Sequence, residues 1–186
     1  MSKQEIRLVR VAPAYAEKIA DYRAEFPASR MRVTLNPNAI PGLDRLEEFE
    51  SVEAWLRHCE SMEGKIDWFL SVRATDEKVV GAAVLRRRLE YDDDDPEFCS
   101  HIGYSVRPSE RRKGYAGEQL RLVLEKAKEA GLPGVRLICR AENTGSVKTI
   151  LANGGVWLDT IHGEESGMNV NRYDITLCGE GENQPC

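Results

Sequence analysis

The stretch RPSERRKGYAGEQL crowds four cations (Arg107, Arg111, Arg112, Lys113) ahead of Gly114, Ala116 and Gly117. Strand-like residues precede it and a helical pattern follows, so the small residues fall on the first turn of a helix. There the main-chain amides lack intrahelical acceptors and the helix dipole is positive. With so little side chain in the way an anion can come close, and a phosphate-type ligand is the natural occupant. The two common phosphate loops do not fit. No GxxxxGK[ST] string exists, and the first strand is followed by RVAPAYAEK instead of GxGxxG. The competing interpretation is a solvated basic turn shaped by its glycines.

Other chemistry is sparse. The five cysteines (Cys59, Cys99, Cys139, Cys178, Cys186) are odd in number and widely spread, against both a disulfide framework and a zinc site; no metal centre is expected. Cys99 and Cys139, in strand-like runs, suit small buried hydrophobes better than acyl-carrying nucleophiles. The net charge of −5 disfavours nucleic acid as a partner. The start MSKQEIRLVRV has no apolar leader and no run approaches membrane-spanning length, so a cytoplasmic protein without membrane contact is expected.

The elements that must position the basic stretch follow from periodicity. EIRLVRV predicts a first strand ended by Pro13, and Tyr15, Ile19 and Tyr22 predict a helix over 14–26. Ser51 is the expected N-cap of VEAWLRHCESM, which Gly64 ends. IDWFLSVR and KVVGAAVLRRR predict a hairpin turning at Asp76-Glu77-Lys78, and FCSHIGYSVRP a strand stopped at Pro108. Leu120, Val123, Leu124 and Ala127 form one stripe of a helix from Gly114 to Ala130. VRLICRA, NTGSVKTILANGG, VWLDTIHG and NRYDITL predict strand, helix, strand, strand. With 186 residues and 41% hydrophobic content this makes one α/β domain over 1–178: a mixed, mostly antiparallel sheet flanked by helices. The tail 179–186 is expected to be unstructured.

In that setting GYSVRPSERRKGYAGEQL resembles motif A of the GNAT N-acetyltransferases, with Arg111-Arg112-Lys113-Gly114-Tyr115-Ala116 as its R-x-x-G-x-G/A signature. LICRAENTGSVKTILANGGVW is similar to the family's motif B, and the element order matches the GNAT fold. The resemblance implies acetyl-coenzyme A as cosubstrate. The main chain from Arg112 to Gly117 would hold its diphosphate, with the side chains of Arg111, Arg112 and Lys113 adding charge. The ends of the preceding strand (Tyr104, Ser105, Val106) and Asn143, with Ser146 beside it, would contact the pantetheine arm.

The implied reaction is direct attack of an amine on the thioester. An amine of pKa about 10 gives up its proton at neutral pH at a cost of about 4 kcal/mol, so a base or water chain matters. The amide near Val106 would face the developing oxyanion. Many members carry a tyrosine seven residues after the asparagine to protonate the departing thiolate; here that position is Ile150. His101 as base, Glu142 through water, and Tyr173 as acid are the candidate replacements. The acceptor side falls to RMRVTLNPNAIPGLDRLEEF, with the acidic run Glu90 to Glu97 able to steer a cation. Arg86, Arg87 and Arg88 would counter that run or face an acidic acceptor. The expected partners are acetyl-coenzyme A and an amine, with a homodimer left open. A non-catalytic acyl-coenzyme A-binding module is the alternative that Ile150 keeps alive.

Overall fold

The computed structural model describes residues 5–26, 39–89, 99–163 and 167–177. The acidic run, the tail and the first part of the expected acceptor segment lie outside them. Four strands form one antiparallel sheet in the order β1 (Ile6–Arg10), β2 (Ile66–Arg73), β3 (Val79–Arg86), β4 (Ile102–Val106). Three more, β5 (Gly134–Arg140), β6 (Val156–Gly163) and β7 (Met168–Thr176), form a second antiparallel sheet in the order β5-β7-β6. The helices are α1 (Ala16–Ala24), α2 (Val52–Ser61), α3 (Tyr115–Glu129) and α4 (Thr144–Ala152).

Helices cover both faces of the first sheet. Trp68, Leu70, Ala82 and Val84 pack with Ile19, Tyr22, Trp55 and Leu56 of α1 and α2 on one face. Phe69, Ala83 and Leu85 pack with Leu120, Val123, Leu124 and Ala127 of α3 on the other. This is why β2 and β3 read as nearly continuous apolar runs instead of alternating ones. The stripe expected of α3 is buried, and Ser51 Oγ accepts from Ala54 N–H at 3.2 Å as the cap of α2.

The single sheet expected from the sequence is instead two, which share one apolar core and are hydrogen-bonded to each other at the start of β4. His101 N–H donates to Arg136 C=O at 2.9 Å, and Arg136 N–H donates to His101 Nδ1 at 2.8 Å. Further along, the Tyr104 hydroxyl of β4 meets Ser146 Oγ of α4 at 2.8 Å, with no main-chain ladder between β4 and β5. The two strands therefore run parallel from a pinned base and are not paired as a ladder above it.

Candidate active site

Register decides which groups face the gap between β4 and β5. Arg86 N–H donates to His101 C=O at one end of the β3–β4 pair, and Arg107 N–H to Val80 C=O at the other. In an antiparallel ladder such bonds recur at every second residue, so the main chain of Gly103 and Ser105 faces β3. That of Tyr104 and Val106 faces the gap. On the other side, Ala141 N–H to Asn169 C=O and Leu177 N–H to Pro133 C=O turn the odd residues of β5 toward β7. Ile138 is left facing β4. Among the described residues the main chains of Tyr104 and Ile138 have no main-chain partner across the cleft. The result is two strand edges facing each other, wide enough apart not to close.

Val106 C=O accepts from Arg111 Nε at 3.2 Å, which ties the basic loop to the top of β4. Beyond it, Arg112 (φ 66°) and Gly114 (φ 86°) both adopt left-handed backbone, curling the chain into the start of α3. A Cβ on Gly114 would meet nothing within 4 Å, so glycine is required there by conformation and the space above it is open. Gly114 also supplies no side-chain cap, leaving the first-turn amides of Ala116 and Gly117 to be satisfied from outside.

The basic side chains divide in a way the sequence did not suggest. Lys113 Nζ donates to Glu110 at 2.7 Å, and the same buried carboxylate accepts from Arg73 and Lys78, each at 2.9 Å. Arg111 stacks over Phe26, 5.7 Å from the ring centroid. Arg112 is exposed and makes no ion pair among the described residues. Tyr115 turns inward, its hydroxyl accepting from Arg73 at 3.1 Å, so it offers only main chain to a ligand. Burial would raise the Glu110 carboxyl; bonds from Lys113 and Lys78 and the nearby Arg73 charge outweigh it and hold it at about 2.

Ser105 corrects one expectation. Its main chain faces β3, and its hydroxyl donates to Pro41 C=O at 2.5 Å and meets Tyr22 Oη at 3.0 Å. It therefore clamps the segment before α2 onto the sheet. Gly42 lies flat against Ala82 there: a Cβ would come within 2.4 Å of the Ala82 carbonyl oxygen. Asn143 caps α4 through Oδ1, which accepts from Ser146 N–H at 3.1 Å. Arg86 pairs with Asp44 and Arg87 with Asp67; the acidic run they were expected to counter lies outside the described residues.

The three candidate proton carriers do not converge. His101 sits at the base of the cleft, about 16 Å along the strand from Val106 at the upper end of β4. Burial and the neighbouring Arg136 charge lower its pKa, and the Nδ1 lone pair a base would use is spent on the Arg136 amide. Glu142 is exposed beyond β5; a main-chain hydrogen bond and the Arg140 guanidinium lower its pKa, making it a weaker base. Tyr173 is buried on β7 among Leu137, Ile175 and α3, and its hydroxyl accepts from Asn171 at 3.2 Å. Ile150 is 0% exposed and belongs to the same core. The sequence missed Glu110 and the Tyr104 hydroxyl, which meets Ser146 Oγ at 2.8 Å on the α4 side of the cleft.

Residues 6–156 match the Acetyltransferase (GNAT) domain family. The chain belongs to the GNAT acetyltransferases. Acetyl-coenzyme A is the cosubstrate of GNAT domains. No curated protein matches the chain by sequence. Solved structures share this GNAT fold at low identity. The ribosomal-protein-S5-alanine acetyltransferase of Vibrio fischeri superposes with a TM-score of 0.71 at 13% identity, covering 100% of this chain and 98% of that one. The yncA protein of Salmonella typhimurium, solved with its cofactor acetyl-CoA, gives 0.65 at 12% over 97% and 99%. A mutant form of the Vibrio cholerae spermidine N-acetyltransferase SpeG gives 0.63 at 14% over 92% and 95%. Among the described residues no helix is long and apolar enough to cross a membrane, and no cluster of potential metal ligands occurs.

Proposed function

We propose that this GNAT protein is an N-acetyltransferase that moves acetyl from acetyl-coenzyme A to a primary amine, with both substrates bound together. The observation that carries this is the pair of strand edges held apart above His101, opening beside the uncapped start of α3. The residues fit the cosubstrate: an open cradle at Gly114 for a diphosphate and main-chain edges for an amide-bearing arm. When bound, the cosubstrate supplies an acetyl group activated as a thioester.

The amides from Arg112 to Gly117 bind the diphosphate, and exposed Arg112 adds the charge. Tyr104 and Ile138 offer main-chain bonds to the arm, in the manner of a strand added to an edge. Val106 N–H, fixed by the β3–β4 register, is the donor to the carbonyl oxygen as negative charge develops there. Asn143 orients the α4 end of the cleft and keeps its amide nitrogen for the arm. Ser105 acts at one remove by fixing Pro41 and Gly42 beside the cleft.

Thermal shift with coenzyme A and acetyl-coenzyme A tests the cradle, because a ligand that binds only the folded chain raises its melting temperature. Thiol release over a panel of polyamines and peptides with free amino termini tests turnover; the acceptors named for the solved relatives motivate that panel. Gly114→Val should abolish the shift, since the strained left-handed backbone rejects a β-branched residue. A persistent shift in that variant would refute the assignment of the diphosphate. A shift without thiol release on any amine would favour the non-catalytic module, for which the core position of Ile150 speaks.

A further inference from the structure

We infer that the Tyr104 hydroxyl, held by Ser146, donates a hydrogen bond to the sulfur that leaves the acetyl group. The inference rests on the cosubstrate assignment above and adds a residue to it. Three observations converge on it. First, Tyr104 is the one residue of β4 whose main chain faces the cleft while its side chain crosses to α4, where Oη lies 2.8 Å from Ser146 Oγ. Second, the Tyr104 side chain, though largely covered, keeps some exposure, in contrast to Tyr22, Tyr115 and Tyr173, which are buried.

Third, Ser146 and Ile150 are four residues apart and share a face of α4. The phenol thus reaches from β4 to a point one helical turn from the position where Ile150, sealed in the core, puts no hydroxyl. Cys139 lies against the same Ser146 and Thr149 also reaches the phenol, so the α4 side of the cleft carries three hydroxyls and a thiol in one cluster. The first turn of α4, with its positive dipole end, adds to the stabilisation of negative charge there.

The chemistry is one of stabilisation without loss of the phenolic proton. Burial raises Tyr104 to about 12, well above an ordinary thiol at about 8.5. Tyr104 therefore keeps its proton while the carbon–sulfur bond breaks and the electron pair moves to sulfur. Either oxygen of the 2.8 Å pair can donate to the other; in the proposed arrangement Ser146 O–H is the donor to Oη, which leaves the phenolic hydrogen for the sulfur. The amine nitrogen forms the new carbon–nitrogen bond and releases its proton to water, and the thiolate takes one up from water.

The test titrates the thiol of bound coenzyme A by its thiolate ultraviolet absorbance, which needs no acceptor. In Tyr104→Phe the bound thiol should titrate higher than in wild type by about one pH unit or more, the effect of losing a hydrogen bond to a charged group. Calorimetry should show coenzyme A affinity changed less than about threefold. Replacing Tyr104 with fluorotyrosine, a stronger donor of the same shape, should lower the bound-thiol titration below wild type. Ser146→Ala should leave more than half of the wild-type effect in place.

Bound coenzyme A with the same titration in wild type, Tyr104→Phe and the fluorotyrosine protein would overturn the role of Tyr104 and leave the acetyltransferase assignment standing. An effect removed by Ser146→Ala and untouched by Tyr104→Phe would also overturn it, making Ser146 the donor. Failure of wild type to bind coenzyme A would overturn both. If Tyr104→Phe fails to fold, the fluorotyrosine protein decides: no displacement of the titration refutes the donor.

Discussion

The two sheets of this molecule are built to different standards. In the first, β2 and β3 are buried along nearly their whole length because helices lie on both faces. In the second, β6 is an edge strand on which Val156, Trp157 and Leu158 are 69%, 55% and 46% exposed. The cleft runs between them, so one wall belongs to a fully packed sheet and the other to a sheet covered on one face. Placing α3 and its basic entrance on the packed sheet gives the diphosphate cradle a rigid base. Variation in the second sheet then changes what lies across the cleft without disturbing that base.

The sharpest way to break this contrast is to empty the packed side. Leu85 is fully buried between β3 and α3. Leu85→Ala should cost about 2 to 5 kcal/mol of stability, since a core with helices on both faces cannot collapse into the void. Denaturant unfolding measures it. A cost below about 1 kcal/mol would mean the first sheet is as pliable as the second.

Next is the charge cluster beneath the phosphate loop. Glu110→Gln leaves Arg73, Lys78 and Lys113 gathered around a neutral amide, and should cost about 3 kcal/mol at neutral pH. The sign of the pH dependence follows from the lowered carboxyl. Its contribution is complete above the ordinary value near 4.5 and is lost as pH falls toward about 2. The variant should therefore lose less stability than wild type across that acid range, and equal acid slopes would remove Glu110 from the account.

This cluster also marks where sequence stops being legible. The helical stripe of α3, the Ser51 cap and the turn at Asp76-Glu77-Lys78 are local patterns, readable because 3.6-residue and two-residue periods and capping chemistry act over a few positions. The basic entrance was readable for the same reason, down to Gly114 at the first turn. Glu110, in contrast, sits in SERRK and looks solvated until Arg73 and Lys78 are brought to it from the β2–β3 hairpin. That enclosure turned Lys113 from an expected phosphate ligand into a structural cation. His101 looked like a base because its partner, the Arg136 amide, is on another strand. Tyr104 looked like main chain only, since nothing nearby announces that its ring crosses to Ser146. A one-residue choice of register, invisible without the paired strand, separated Ser105 from Tyr104 and Val106.

The seam between the sheets yields a smaller effect. His101→Ala removes the acceptor of the Arg136 amide and should cost about 1 to 3 kcal/mol, read by hydrogen exchange at Arg136 and by denaturant unfolding. Because burial lowers the histidine, the unfolded chain takes up its proton first as pH falls below about 6.5. Wild-type stability should be complete above that pH and decline below it, and the variant should lack this portion of the decline. An unchanged profile would mean the imidazole does not pin the two strands.

The smallest effect is expected at the edge. Trp157 stands on β6 with Val156 and Leu158 beside it, and the register shift between Trp157 and Asp159 interrupts the pairing with β7 there. Such an interruption twists an edge away from further strands, and the Arg172–Asp159 pair puts charge next to it. Trp157→Ser removes contacts that a lone chain scarcely makes, so stability should change by less than about 0.5 kcal/mol. A larger loss that grows with protein concentration would instead show a second copy covering β6, because association with the folded state adds stability by mass action. The contrast between the sheets would then belong to the isolated chain alone, with the second sheet completed by its partner.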